Sequence, residues 1–129
     1  MNTEEIVKNQ AQPWVPMTNH NDIKCIGKLM EELNELSSIL SRSLIQGIDQ
    51  PHVDDGRLNL EHVCDEIADV QNMLEYFERR FLVGSDIERI IVRRERKFQF
   101  IKGWLEPALE AHSPEVEEVF QEHVPEIEK

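Results

Sequence analysis

Three long segments of this chain carry apolar residues at the three- and four-residue spacing of an amphipathic helix. Gly- and Pro-containing stretches separate the segments, and the strict alternation expected of strands is not found in the sequence. The pattern therefore predicts an all-α helical bundle. The predicted limits are Asn21 or Asp22 to about Gly47, Asn59 to Gly84, and Ser85 to about Trp104 or Leu105, with Asn59 and Ser85 as N-caps.

The length of 129 residues suits one hydrophobic core, so we predict a single all-α domain over 1–129 with its core at about 21–105. Residues 3–10 are predicted to form a short helix, and 106–129 an acidic, Pro-containing peripheral tail. The segment 47–57, rich in Gly, Pro and Asp, is predicted to be an exposed and mobile connection. Because three helices make a thin bundle and their apolar stripes are wide, we expect oligomerisation to complete the core.

The formal net charge of −12 at pH 7 argues against nucleic-acid binding, because phosphate backbones are held mainly by Lys and Arg. Such acidity suits the binding of hard cations. No apolar run approaches the roughly 20 residues of a membrane span, and the first residues do not resemble a secretory signal. We therefore expect a cytoplasmic protein that does not bind membranes. Cys25 and Cys64 have no C-x-x-C spacing and no clustered His partners, so no zinc site is expected.

Two pairs of acids stand out, one on each of the first two predicted helices. Glu32 and Glu35 are spaced i, i+3, as are Glu66 and Asp69, so each pair shares a helix face. On a helical wheel both pairs border the predicted buried stripe. If the stripes pack together, four carboxylates converge beside the core, where their repulsion requires a multivalent cation.

The chemistry of these ligands indicates which cation they would bind. A set of carboxylate oxygens without His or Cys favours Mg²⁺, with Mn²⁺ as a substitute, over zinc or iron. Ferritin-like di-iron bundles use Glu-x-x-His, and neither acid motif has His at that position. Carboxylate-bound Mg²⁺ keeps open positions that substrate phosphates can fill, so phosphoanhydride cleavage is the expected chemistry.

The motif Glu31-Glu32-x-x-Glu35, followed about 30 residues later by Glu66-x-x-Asp69, resembles the signature of the MazG-type all-α nucleoside triphosphate pyrophosphohydrolase superfamily, which includes dimeric dUTPases. The resemblance covers roughly 22–104. It implies Mg²⁺ ligation by the four acids Glu32, Glu35, Glu66 and Asp69. It also implies catalytic roles for Glu31 and Glu35, with Glu31 close to the metal or the attacking water. Finally, it implies an obligate homodimer or homotetramer.

The resemblance also implies substrate contacts for several further residues, each with a structural alternative. Asn72 would face the nucleotide, or is simply a solvent-exposed helix residue. Arg93 and Lys97, spaced i, i+4, would bind the phosphates, or belong to a solvated face paired with acids. Trp14 and His20 would form part of the base pocket, where Trp14 can stack, or Trp14 belongs to a lid packed on the core.

Together these features predict Mg²⁺-dependent hydrolysis of a nucleoside triphosphate, with a deoxynucleotide preferred, to the monophosphate and pyrophosphate. The expected role is nucleotide-pool cleansing or supply. Two alternatives stay open. One is a non-catalytic helical dimerisation or regulatory protein that keeps the acids as a cation-binding or solvated surface. The other is a phosphoribosyl-ATP pyrophosphohydrolase.

Overall fold

The structure, a computed structural model, describes residues 2–3 and 14–109, with side chains up to residue 105. This part of the chain forms three long α-helices and no strand, which confirms the predicted all-α class for the described residues. None of these helices is long and apolar enough to cross a membrane. Most of the predicted helix at 3–10 and of the predicted tail lies outside the described residues. The helices are α1 (His20–Gln46), α2 (Asn59–Phe81) and α3 (Gly84–Leu109).

The chain divides into two compact units, 1–82 and 83–129. In the first unit α1 and α2 pair antiparallel, and an ion pair joins the start of α1 to the end of α2. Arg80 donates from Nε and Nη2 to the two carboxylate oxygens of Asp22, at 2.7 and 3.0 Å. An acid in the first turn and a base in the last turn also suit the two helix dipoles.

The starts of all three helices differ slightly from the prediction. Asn19 caps α1, because its Oδ1 accepts the N–H of Asp22 at 3.1 Å. Asn59 is not the cap of α2: the preceding Leu58 takes that place, with its N–H donated to Glu61 at 2.9 Å. Helix α3 begins at Gly84, ahead of the predicted cap Ser85, and it ends at Leu109, four residues beyond the predicted limit.

The connection between α1 and α2 is exposed, as predicted, and it is tied to both helices. The fully buried Asn59 donates from Nδ2 to the carbonyl of Gly47 at 2.9 Å. Backbone bonds run from Asn59 N–H to Gln50 O and from Leu60 N–H to Ile48 O, at 2.9 and 2.8 Å. Gly47 ends α1 with φ of 100°, a conformation that favours glycine. The side chain of Asn59 therefore closes the loop, which explains why it does not cap the helix.

Few apolar side chains of α1 and α2 are buried. The buried ones among the described residues are Ile39, Val63 and Val70. The prediction that the acids only border the buried stripe is wrong for Glu32, which is itself buried. Part of the predicted apolar stripe is instead exposed. On a helical wheel this part lies about 80–120° from Glu32 on α1 and about 80–120° from Glu66 on α2. These exposed residues are Leu33, Leu40, Leu44, Leu60, Ile67 and Leu74.

Candidate metal centre

Three of the four predicted acidic ligands lie together between α1 and α2. Glu32 and Glu35 come from neighbouring turns of α1, and Glu66 comes from α2. One carboxylate oxygen from each of the three lies within 4.8 Å of the other two. The i, i+3 spacing places the first two on one face, and the antiparallel pairing brings the third to the same height. The two helices thus form a three-carboxylate cluster.

Burial limits the hydration of this cluster. Glu32 is 5% exposed, and Glu66 is half-buried. The Oε2 atoms of both residues are buried and have no hydrogen-bond partner among the described residues. Leaving a buried acceptor unpaired costs about 1–3 kcal/mol, and more for a charged group. A bound cation would satisfy both oxygens.

Repulsion within the cluster also acts on Glu35, whose side chain is exposed. Its pKa is raised above the ordinary value, first by the negative charge of Glu32, then by partial desolvation and by the charge of Glu66. A raised pKa of this origin means that the neighbouring carboxylates disfavour the ionised form of Glu35. A divalent cation among them would reverse the effect, because it favours the ionised forms.

Lys28 provides a positive charge at the cluster. Its Nζ lies 2.8 Å from Oε1 of Glu32 and 3.3 Å from Oε1 of Glu31. The hydrogen bonds to these two acids raise the pKa of Lys28. Half of the Lys28 side chain is exposed, so water screens both pairs and little free energy is lost when they break. Lys28 can therefore move away from Glu32 when another cation approaches.

An open depression of about 450 Å³ lies on α1 beside the cluster. Small-molecule sites in proteins span about 300–1,000 Å³, so it has room for part of a nucleotide. Glu31 is exposed and lines this depression. Within the described part of the chain, it does not belong to the three-carboxylate cluster. The lining residues are Gly27, Met30, Glu31, Asn34, Glu35 and Ser38.

The other two predicted site residues of α2 are exposed. Asp69 and Asn72 follow Glu66 along one edge of the helix, at about 300° and 240° on a wheel with Glu66 at zero. Among the residues that the structure describes, Asp69 is not in the group of acids within 4.8 Å of one another. Ligation by Asp69 and substrate contact by Asn72 remain predictions.

His20 begins α1, and Trp14 lies in the irregular segment that precedes this helix. Trp14 is 85% exposed. With a rise of 1.5 Å per residue, the backbone of His20 is about 18 Å along the helix axis from that of Glu32. The structure of one chain therefore does not bring His20 to the acids, and base binding by these residues stays a prediction.

The two predicted phosphate ligands belong to α3, in the second unit. Arg93 and Lys97 are both exposed, one helical turn apart. The ammonium group of Lys97 lies 5.7 Å from the centre of the Phe100 ring. Their predicted role in phosphate binding is not tested by this geometry.

The composition of the acid cluster suits Mg²⁺. An octahedral ion with Mg–O distances of about 2.0–2.1 Å holds adjacent ligand oxygens about 2.9 Å apart and opposite ones about 4.2 Å apart. One oxygen from each of the three carboxylates lies within 4.8 Å of the other two, so the side chains would have to draw closer to bind one ion. Among the described residues the group contains only carboxylates. Mg²⁺ or Mn²⁺ bound here would keep water molecules that a polyphosphate can replace.

Two cations close to the acid motifs were not predicted. Lys28 could have been found from sequence, because it precedes Glu32 by four residues, the spacing of a helical ion pair. Arg57 could not, since its position depends on the path of the loop. Its Nη2 donates to Oδ2 of Asp65 at 2.7 Å, next to the ligand candidate Glu66.

Comparison of the chain with protein-family models, with curated proteins and with solved structures finds no match. The carboxylate geometry and the acid motif therefore carry the functional interpretation.

Proposed function

We propose that this chain is a Mg²⁺-dependent nucleoside triphosphate pyrophosphohydrolase of the MazG type. The observation that carries the proposal is the three-carboxylate cluster of Glu32, Glu35 and Glu66, with its two unpartnered buried oxygens among the described residues. Such a cluster is costly without a cation and needs a hard one with oxygen ligands. Phosphoanhydrides are the substrates that such an ion activates most directly.

The acids of both helices hold the ion. Glu32, Glu35 and Glu66 are the proposed ligands, and Asp69, one turn beyond Glu66, is the fourth after a change of side-chain rotamer. When bound, Mg²⁺ supplies the positive charge that polarises the phosphoryl group and stabilises the leaving pyrophosphate. Glu35 also borders the depression on α1, so it connects the ligand set to the substrate surface.

Glu31 is the proposed base. Its exposed carboxylate lies beside the cluster and is paired with Lys28, and it would accept a proton from water once Lys28 moves away. The water oxygen bonds to the α-phosphorus while the bond between that phosphorus and the α–β bridging oxygen breaks. The products are the nucleoside monophosphate and pyrophosphate, and Glu31 then returns the proton to solvent.

The substrate is a nucleoside triphosphate, with a deoxynucleotide preferred. In this proposal Asn72 contacts the nucleoside, and Arg93 and Lys97 bind the phosphates. Trp14 and His20 contribute to the base pocket. Because His20 is about 18 Å along α1 from Glu32, its contribution would come from a neighbouring subunit.

A homodimer or homotetramer completes the bundle in this proposal. The described residues bury three apolar side chains, which is a small core for an independent domain. The exposed edge of the stripe, with Leu40 on α1 and Leu74 on α2, offers a surface for a second copy. Two α1–α2 pairs would then form a four-helix core.

One contact favours the non-catalytic alternative. Lys28 already neutralises part of the charge of Glu32, so the cluster can persist without a metal ion. A protein that uses the helices only for dimerisation or regulation would keep this pair in all conditions.

Pyrophosphate release separates the two functions. The purified chain is incubated with Mg²⁺ and a panel of dNTPs, NTPs and phosphoribosyl-ATP. We expect turnover that EDTA abolishes, and loss of at least about 100-fold in kcat for Glu32→Gln, the size typical when key electrostatic groups are removed. Glu75→Gln, an exposed acid of α2 paired with Arg79, serves as the matched control. No turnover of any substrate, or equal rates for Glu32→Gln and wild type, would contradict the proposal.

A further inference from the structure

A second cluster of metal-ligand side chains lies away from the acids, where the connection meets α2. It consists of His52 and Asp55 from the connection and His62 from the first turns of α2. One ligand atom from each residue lies within 4.8 Å of the other two. Both histidines are half-buried, and their ring centres are 4.6 Å apart. Two imidazoles and one carboxylate are a donor set that suits a transition metal rather than Mg²⁺.

The backbone holds these three residues in place. His52 N–H donates to the carbonyl of Arg57, and Gly56 N–H donates to the carbonyl of His52 at 2.9 Å. Gly56 adopts φ of 72°, a conformation that favours glycine, so the chain can turn back here. The residues that follow the turn lead directly into α2. The cluster is thus formed by a closed turn and by a helix, and both are tied together by the backbone.

The side chains are also oriented for a shared ligand. Nε2 of His62 lies 2.9 Å from Oδ2 and 3.0 Å from Oδ1 of Asp55. On the other histidine, Nδ1 of His52 accepts the backbone N–H of Asp54 at 3.2 Å, which fixes the orientation of that ring.

We propose that His52, Asp55 and His62 bind one Zn²⁺ ion that fastens the connection to the start of α2. Tetrahedral zinc with bonds of about 2.0–2.1 Å holds its ligand atoms about 3.3–3.4 Å apart. The Asp55–His62 separation needs to widen by only a few tenths of an ångström to reach that value. The ion would replace the hydrogen bond between these two residues, and water or an external ligand would complete the fourth position.

Calorimetric titration of the full-length protein with Zn²⁺, in excess Mg²⁺, tests this proposal. We expect one equivalent of Zn²⁺ to bind and to raise the thermal unfolding temperature. His62→Gln, His52→Gln and Asp55→Asn should each weaken binding at least about tenfold, the lower limit seen even for outer-shell changes. Because His62 is half-buried, circular dichroism checks that its variant is folded, and the exposed Asp55→Asn gives an independent result.

Control variants separate this site from the other possible Zn²⁺ ligands. His20→Gln, the double variant His112→Gln/His123→Gln, and Glu32→Gln should all retain wild-type Zn²⁺ affinity. Unchanged Zn²⁺ affinity in Glu32→Gln would also show that the zinc site is independent of the proposed hydrolase site. Failure of the wild-type protein to bind Zn²⁺ in excess Mg²⁺ would overturn the proposal. So would binding that survives in Asp55→Asn and His52→Gln but is lost in one of the controls.

Discussion

The ammonium group of Lys28 lies 2.8 Å from one carboxylate oxygen of Glu32, while the other oxygen of Glu32 is buried and has no partner within the described residues. One half of this carboxylate is thus neutralised by a side chain that water can reach. The carboxylates of Glu35 and Glu66 also lie close to Glu32, with one oxygen of each of the three residues within 4.8 Å of the other two. Lys28 is paired with Glu32, and a divalent cation at this carboxylate would have to compete with that pair.

Replacing Lys28 with Gln should therefore tighten Mg²⁺ binding. The substitution removes a solvent-screened ion pair that competes with the metal, so the Mg²⁺ dissociation constant should fall by as much as about fivefold. Lys24→Gln is the matched control, since Lys24 is exposed on the same helix and makes no ion pair among the described residues. Calorimetry without substrate measures both variants. Weaker Mg²⁺ binding in Lys28→Gln would show that the lysine supports the metal rather than competing with it.

Glu32→Gln should separate stability from metal binding. Without Mg²⁺, the variant loses the repulsion from Glu35 and Glu66 but also the ion pair with Lys28, so its free energy of unfolding should stay within about 1 kcal/mol of the wild-type value. With Mg²⁺ at 100 times its dissociation constant, wild type should gain about 2.7 kcal/mol and the variant almost nothing. Urea unfolding with EDTA or with Mg²⁺ measures both quantities. An equal gain in the two proteins would place the metal elsewhere.

The raised pKa of Glu35 predicts how stability depends on pH in EDTA. The folded protein binds this proton more tightly than the unfolded chain, whose carboxyl has the ordinary value of 4.5. The contribution of Glu35 is therefore fully present below pH 4.5 and is lost as the pH rises through the raised folded pKa. The free energy of unfolding should fall across that window. Glu35→Gln should abolish this part of the slope, and an unchanged slope in that variant would contradict the assignment.

Helical periodicity predicted most of the fold because packing in this chain follows apolar spacing. It did not reveal which part of a wide stripe faces the partner helix, since that depends on the crossing of α1 and α2. As a result Glu32 was expected at the border and is buried. Two helix starts differ from the prediction because of asparagine side chains. Asn19 caps α1 ahead of the predicted caps, and Asn59 donates to the carbonyl of Gly47 instead of capping α2.

The acid cluster was largely predictable, and the histidine cluster was not. Glu32 and Glu35 share a helix face by spacing alone, and one assumption, that the stripes pack together, adds Glu66. His52 and His62 meet only because backbone bonds fold the connection back onto α2. No periodicity describes that path, so the sequence showed His52 as an isolated loop residue.

The exposed apolar edge predicts how the protein assembles. Leu74→Glu should place an unpaired charge in the proposed interface, at a cost of at least about 3 kcal/mol. The dimer dissociation constant should then rise by more than about 100-fold. Arg79→Glu introduces the same side chain on an exposed position of α2 away from that edge. Light scattering coupled to size exclusion should give a monomer for the first variant and the wild-type oligomer for the second, while a monomeric wild type would refute the assembly.

The most direct measurement is the anomalous difference map of crystals grown with Mn²⁺ as a substitute for Mg²⁺. The carboxylate cluster predicts a peak bonded to oxygens of Glu32, Glu35 and Glu66, with the ammonium group of Lys28 displaced from Glu32. Crystals of Glu32→Gln should lack that peak. A map with Mn²⁺ bound elsewhere, or with no ion between α1 and α2 while Lys28 stays paired with Glu32, would contradict the proposed metal centre.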